Sequence, residues 1–390
     1  MKVVHVSFFY DDSLKTVDAC FQQQYTITGW AEALHRLGVE TTVISRFDRE
    51  AMFDRNGVHY YFIHDHIGPT FRGWVFPLVF LKKIKELDAD VVHLHNFTLS
   101  LQTRLLRWML PAKTAIIVQH HGGIAPRPKR RMIHNFLNNV ADGFFFTTET
   151  QGCEWFLRKK PFSRILPVME GATFFNYEAR DAARPSQYVD RWKTRKSSGI
   201  NGDPVFLWVG RLDPNKDPLT ILDGFKVLSE NCPSARLYMC YGDDKLSGEV
   251  TAKIAASSIL TSSVHLLGKV DHENIEQVYN SADYFVLGSH YEGSGYALSE
   301  ALRCGCIPVV TNIPSFRMMT NNGKLGALWE PGNAASFIEA IYDAIKKPIR
   351  NEADACMDFY TTHLSFDAIA QNALTHYQNV VEYRRQKLSP

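Results

Sequence analysis

Glu292-Gly293-Ser294-Gly295-Tyr296-Ala297-Leu298-Ser299-Glu300 runs into Ala301-Leu302-Arg303-Cys304-Gly305-Cys306 and then Ile307-Pro308-Val309-Val310. It reads as a glycine-containing loop, a helix, a turn of small residues and a buried strand. With the apolar run at residues 284–287 before it, the order is β-α-β, the repeating unit of a parallel sheet. Two glutamates eight positions apart flank the turn, Glu292 in the loop and Glu300 about a turn into the helix. Backbone N–H groups from Ser294 to Ala297 stand at the helix start, where an anion can meet them.

The same alternation extends in both directions. In the first half, strands are expected at residues 2–7, 41–45, 59–63, 91–95, 115–119, 144–147 and 165–168. Helices are expected at 31–37, ending at Gly38, and at 74–87 and 99–110. Residues 176–204 are polar, rich in Arg, Asp and Ser, and without period, so they read as an inter-domain connection. The pattern restarts with strands at 205–209, 236–241, 264–267, 284–287 and 307–310, separated by helices at 218–229, 250–259, 274–280 and 297–303. Residues 366–386 read as one long amphipathic helix. The fold class is therefore α/β, with two Rossmann-like, doubly wound parallel-sheet domains. Such domains bind ligands at the carboxyl ends of their strands, here facing a central cleft.

Length and composition agree. A chain of 390 residues suits two domains of nearly equal size. Hydrophobic residues at 45% and charged residues at 22% are ordinary for a soluble globular protein. A net charge of +2 gives no global sign of nucleic-acid binding. Seven cysteines without a pairing pattern read as free thiols in a reducing compartment. The start, MKVVHVSFFYDD, has no signal-peptide organisation, and no stretch approaches the about 18 apolar residues that span a bilayer. The expectation is a cytoplasmic protein, with peripheral contact at the inner membrane face left open.

The Glu292–Glu300 stretch resembles the E-x7-E signature of the family-four nucleotide-sugar glycosyltransferases, retaining enzymes of the GT-B type. Phe206-Leu207-Trp208-Val209-Gly210-Arg211-Leu212-Asp213-Pro214-Asn215-Lys216 resembles the family's V-G-R-x4-K element. A guanidinium and an ammonium after a strand suit a diphosphate. His265-Leu266-Leu267-Gly268-Lys269-Val270 resembles the family's F-x-G-x-V element, and Asp283–Ser289 its D-x4-P-S strand with Gly288 in place of proline. Tyr241-Gly242 and the 326–332 turn fall in order too. The first half matches more loosely. Asp90-Val91-Val92-His93-Leu94-His95 resembles the D-V-V-H-x-H strand end, and His120-His121-Gly122-Gly123 the histidine at which the acceptor side is built.

The resemblance implies a metal-independent transfer, with retention, of a hexosyl-type sugar from a nucleotide-diphosphate sugar to an acceptor hydroxyl. The donor is UDP-linked by default, with GDP as the alternative. Glu292 would hold sugar hydroxyls, Glu300 the ribose, Arg211 and Lys216 the diphosphate, and the backbone at Gly268 and Val270 the base. Ser294, Gly295, Tyr296 and Ala297 would supply helix-start amides. Gly29 stands where the family has two glycines, with Thr28 in the other place. His121 is the expected active-site histidine, and a one-residue shift makes it His120. No resident cofactor is expected, and the acceptor is a saccharide, a lipid-linked saccharide or a small molecule. The implied domains are an acceptor-binding unit at 1–180, a donor-binding unit at 200–365 and a terminal helix at 366–390 that crosses back to the first. Three rivals stand beside it: a nucleotide-sugar epimerase of the same fold, a sugar phosphorylase, for which the chain is short, and, from a different class, a non-catalytic nucleotide-sugar-binding subunit.

Four further features receive no assigned chemistry. His64-Asp65-His66 reads as exposed loop rather than a metal site, because neighbours on a strand end face opposite ways. Asp243-Asp244 lacks the intervening residue of a metal-binding Asp-x-Asp. Glu170-Gly171 stands where the family often has Asn-Gly, and only a turn is assigned to it. Arg127-Pro128-Lys129-Arg130-Arg131 is read equally as an exposed helix start or as a site for an anionic acceptor or membrane.

Overall fold

Buried parallel strands carry apolar side chains on both faces, and that is how the central strands of this chain read. The computed structural model describes residues 1–69, 74–158, 162–172, 191–242 and 245–388. The chain divides into two compact units, Met1–Gly171 with Ser365–Pro390, and Ala172–Leu364.

The first unit is built on β1 (Lys2–Ser7), β2 (Glu40–Arg46), β3 (Ala51–Arg55), β4 (Val58–Ile63), β5 (Val91–Leu94), β6 (Ala115–Gln119), β7 (Gly143–Phe146) and β8 (Ile165–Pro167). Their order in the sheet is β3-β4-β2-β1-β5-β6-β7-β8. All neighbours are parallel except β3 and β4, which form an antiparallel edge hairpin. On one face Val4, Val6, Val92, Leu94, Ile116 and Val118 pack with Phe80, Leu81 and Ile84 of the Leu78–Glu86 helix and Leu106 of the Ser100–Met109 helix. The other face meets the Tyr25–Arg36 helix, whose Trp30 stacks on Phe145, and the terminal Phe366–Leu388 helix. That last helix is tied to the sheet by Tyr377, whose hydroxyl lies 2.8 Å from His93 Nδ1, and by Asn372, which donates to the Pro167 carbonyl at 3.1 Å.

The second unit is wholly parallel: β9 (Val205–Gly210), β10 (Arg236–Tyr241), β11 (Val264–Gly268), β12 (Tyr284–Leu287), β13 (Ile307–Thr311) and β14 (Ala327–Trp329), in the order β11-β10-β9-β12-β13-β14. From β9 the chain winds outward to one side, then returns to β12 on the other side. The carboxyl ends of β9 and β12 therefore form the crevice expected at a switch of strand order.

Several expectations need correction. The edge strand β3 is exposed almost throughout and shows no alternation to announce it. The helix expected at 74–87 begins only at Leu78, because Pro77 precedes it and disfavours helical backbone before itself. The helix expected at 250–259 is two, Ser247–Ala255 and Ser258–Ser263, divided where Ser257 caps the second by accepting from the Leu260 N–H. Of the expected connection at 176–204, residues 176–190 lie outside the described residues, but Arg191–Ser198 is a helix of the second unit, held by Arg195 on the Ser281 carbonyl at 2.8 Å and on Asp283. Asp65 is buried, not exposed: its carboxylate meets the fully buried Arg46 guanidinium, which also donates to the Ile67 carbonyl at 2.8 Å.

Removing one member of a buried ion pair strands the other charge, at a cost of about 3–5 kcal/mol. Asp65→Ala is expected to lower the unfolding free energy by that amount, read by denaturant titration. A loss within about 1 kcal/mol, the range of an exposed pair, would mean that Arg46 finds other partners.

Candidate functional site

Polar side chains of the second unit gather where β9 and β12 end. β9 closes on Gly210, and the following loop turns at Asp217, whose φ is +44° and whose carboxylate caps the Pro218–Asn231 helix by accepting from the Thr220 N–H at 3.3 Å. After β12 comes the loop 288–295. The two loops are laced by Asn215, whose Nδ2 donates to the Tyr291 carbonyl at 3.0 Å, whose Oδ1 accepts from the Tyr291 N–H at 3.1 Å, and whose carbonyl accepts from the His290 N–H at 2.8 Å. Sequence reading had no role for Asn215, although its place inside the V-G-R-x4-K element was the available signal.

This lacing brings Lys216 onto Glu292. The ammonium pairs with Oε1 of the carboxylate, which also accepts from Ser289 Oγ at 2.6 Å, and both charged side chains are largely buried. Arg211 stands apart from that pair: its side chain is 60% exposed and meets Asp213 at 3.3 Å. Ser294 and Gly295 open the Tyr296–Arg303 helix, which contains Tyr296 and Ala297 in its first turn. Gly295 has φ +59°, and a Cβ there would lie 3.0 Å from Met319 Sδ, so the opening requires glycine.

Glu300 occupies a different part of the same edge. With Gly210, Tyr241, Lys269, Val270 and Ile275 it lines a cavity of about 280 Å³. Gly268, at φ +66°, ends β11 and turns Lys269 and Val270 toward it. The Tyr279 hydroxyl donates to Glu300 Oε2 at 2.9 Å. Burial raises the Glu300 carboxyl to about 7, with the Tyr279 hydrogen bond acting against that shift. The four expected donor-side residues therefore form two sets, Lys216 with Glu292 and Glu300 with the cavity, with Arg211 exposed on the loop between strand and helix.

In the first unit, the end of β6 separates the two candidate histidines. His120 turns inward, stacked on Phe146 with centroids 5.1 Å apart and beside Trp155 at 4.7 Å. Burial lowers its pKa to about 4, against the pull of Glu170. His121 turns outward. Its Nδ1 pairs with Glu170, and its Nε2 lies 3.1 Å from His95 Nδ1. Glu170 is buried and also accepts from Gln119 Nε2 at 3.2 Å. Its role therefore exceeds the turn assigned from sequence: it fixes the ring of His121. A carboxylate at the end of β8, where neutral Asn is usual, was the sign of it.

Gly29 is corrected as well. It sits in the second turn of the Tyr25–Arg36 helix, buried, past the helix-start amides that could meet a diphosphate.

His5, His93 and His95 carry ring nitrogens all within 4.8 Å of one another, the spacing of a metal set. His95 is stacked on His5 at 24°, while His93 is tilted, 30° from His95 and 51° from His5. His5 Nδ1 and His95 Nε2 already hydrogen-bond at 2.8 Å, and burial lowers the pKa of all three, His5 to about 3. A neutral His5–His95 pair, with His93 held by the Tyr377 hydroxyl at 2.8 Å, fits these contacts better than a cation's ligands.

Two family models match. The one described as Glycosyl transferases group 1 covers residues 190–358, and the one described as Glycosyltransferase Family 4 covers residues 23–155. Mannosylfructose-phosphate synthase of Agrobacterium fabrum is 33% identical over 161 residues, which are 40% of this chain and 33% of that protein. The GDP-mannose:cellobiosyl-diphosphopolyprenol alpha-mannosyltransferase of Xanthomonas campestris is 25% identical over 245 residues, 61% of this chain and 60% of that one. The chain thus spans from a third to three fifths of the length of these curated relatives. In fold it is similar to the solved sucrose-phosphate synthase from Thermosynechococcus elongatus, with a TM-score of 0.68 at 17% identity over 98% of this chain and 99% of that one.

Gly288 lets the two laced loops approach. A Cβ there would lie 3.0 Å from the Asp217 carbonyl oxygen and 3.1 Å from that of Lys216, both backbone atoms. Gly288→Ala is expected to cost about 1–3 kcal/mol in unfolding free energy. An unchanged denaturant midpoint would show that the loops can part without loss.

Proposed function

The chain belongs to the family-four type of GT-B glycosyltransferases, and from that premise we propose that it transfers a hexosyl-type sugar from a nucleotide-diphosphate sugar to the hydroxyl of a lipid-linked saccharide. The observation that carries the reading is the Lys216–Glu292–Ser289 set beside the Glu300 cavity. It sits at the strand-order switch of the second unit, where nucleotides bind in such sheets.

In this reading Lys216 and the exposed Arg211 hold the diphosphate, Glu292 accepts from sugar hydroxyls, and Glu300 accepts from the ribose. The base lies along Gly268 to Val270, and the helix opening at Ser294–Ala297 faces the phosphates. The Lys216–Glu292 pair has a use of its own: an arriving diphosphate draws on the ammonium, and the carboxylate turns to the sugar.

The reaction proceeds with retention and without metal. The bond from the anomeric carbon to the diphosphate oxygen breaks, and a bond to the acceptor oxygen forms on the same face. The departing diphosphate oxygen takes the acceptor proton, so no protein base is required. In the first unit Glu170 holds the ring of His121 in position, and His121 is the group assigned to the transfer step. The acceptor class is supported by the Xanthomonas relative, whose name gives a diphosphopolyprenol-linked acceptor.

The test is a panel of UDP- and GDP-linked sugars, each with and without EDTA, read by thermal shift and by product. One donor should stabilise the protein and be turned over equally in EDTA, giving a product of retained configuration. Glu292→Ala should lower transfer by roughly a hundredfold. Glu170→Gln should lower kcat by about tenfold to a hundredfold while the donor KM holds, since it loosens the ring of His121 and leaves the second unit's donor residues unaltered. Binding of a donor with no transfer to any acceptor would favour the non-catalytic nucleotide-sugar-binding reading, and inversion of configuration would reject the mechanism.

Glu300 makes a further point testable. With its carboxyl raised to about 7, it is ionised above that pH and protonated below it. A ribose diol binds the ionised form better, so binding expels a proton. The Kd of the nucleoside diphosphate is therefore expected to rise as pH falls through about 7, and to become flat in Glu300→Gln. A pH-independent Kd in the unaltered protein would move the ribose elsewhere.

A further inference from the structure

Between Asp90 and Asp142 the chain carries no acidic residue, while Arg104, Arg107, Lys113, Arg127, Lys129, Arg130 and Arg131 lie in that interval. The whole chain is almost balanced, with 43 basic and 41 acidic residues, so this interval is a local excess. It includes the Ser100–Met109 and Pro128–Asn138 helices, which pack side by side in the first unit. His134 Nδ1 lies 3.0 Å from Ser100 Oγ, and Asn138 Nδ2 donates to the Phe97 carbonyl at 2.9 Å. These contacts fix which face of the Pro128–Asn138 helix turns inward.

The opposite face carries Lys129, Met132, Ile133 and Phe136, at spacings of three, one and three residues, one stripe of a helix. Met132, Ile133 and Phe136 are 61%, 59% and 67% exposed. Arg104 of the neighbouring helix lies over the Phe136 ring at 5.1 Å, and one turn further on Trp108 is 74% exposed. Apolar tips set among cations are the composition of a helix that rests in a membrane interface.

We infer that this face docks on an anionic lipid bilayer, with Met132, Ile133 and Phe136 entering the headgroup region and the surrounding Lys and Arg meeting lipid phosphates. A soluble anion would account for the cations but not for three large apolar side chains held in water. A second copy of the chain would bring the exposed cations Arg127, Lys129 and Arg130 against their own kind, and like charges oppose that. The choice of a bilayer over an acidic protein rests on the lipid-linked acceptor proposed above. Among the described residues no helix is long and apolar enough to cross a membrane, so docking on the surface is the mode this face offers.

The experiment is flotation of the full chain with vesicles of phosphatidylcholine alone or with phosphatidylglycerol added, free of any acceptor lipid. The protein should float with the anionic vesicles, stay behind with the neutral ones, and be released by high salt. The triple variant Met132→Ser, Ile133→Ser, Phe136→Ser should lose about tenfold or more of that binding. Its melting curve and its stabilisation by nucleoside diphosphate should match the parent. Equal flotation of parent and variant overturns the proposal, as does equal binding to both vesicle types. A dimer that the triple substitution dissociates, without vesicle binding by the parent, overturns it in favour of self-association. Flotation without sugar transfer would uphold the surface and reject the function. Transfer without flotation would do the reverse.

Discussion

A parallel sheet with helices on both faces has nowhere along its strands to place a charge. β1, β5 and β6, and β12 and β13 in the second unit, are buried along nearly their whole length. Ionisable groups at such strands must be neutralised or be pushed to the strand ends. Both outcomes occur. His5, His93 and His95 stay inside as uncharged, hydrogen-bonded rings. Lys216, Glu292, His121 and Glu170 lie in the connections that follow strands, and Glu300 in the helix that follows the β12 loop. Burial acts on these groups too, but only in part: it lifts Glu300 toward neutrality and leaves Lys216 and Glu292 as a close pair.

That constraint explains what the sequence discloses. Apolar runs of strand length, each followed by glycine or a cluster of polar residues, place the sheet and its active edge without further help. The V-G-R-x4-K and E-x7-E elements are legible because each is confined to one loop and its helix start, where spacing along the chain nearly equals position in space. Gly295 and Gly288 belong to the same class, for each answers a local need of backbone shape or approach.

Relations made between distant strand ends are hidden. Glu170 looks like a turn residue until β8 is set beside β7 and β6, and then it lies under His121. Asp65 looks like a surface charge until Arg46 at the end of β2 reaches it. Gly29 errs in the other direction: its motif suggested a helix start, but the helix begins four residues earlier at Tyr25, so the glycine amide falls inside the ladder. The strand β3 escapes because an exposed edge lacks the burial that writes a period of two into a sequence.

The terminal helix has one more bearing, on the order in which the molecule can be completed. The first unit takes its sheet from the opening 171 residues and a covering helix from Phe366–Leu388, with the entire second unit encoded between. A ribosome working from the amino end therefore finishes the second unit's sequence while one face of the first unit's sheet is covered only in part, by the Tyr25–Arg36 helix. His93 must wait, beneath that face, for the Tyr377 hydroxyl to emerge. In the growing chain the first of these two units begun is the last one closed, and the strip that awaits Tyr377 is what a chaperone would meet in the interval.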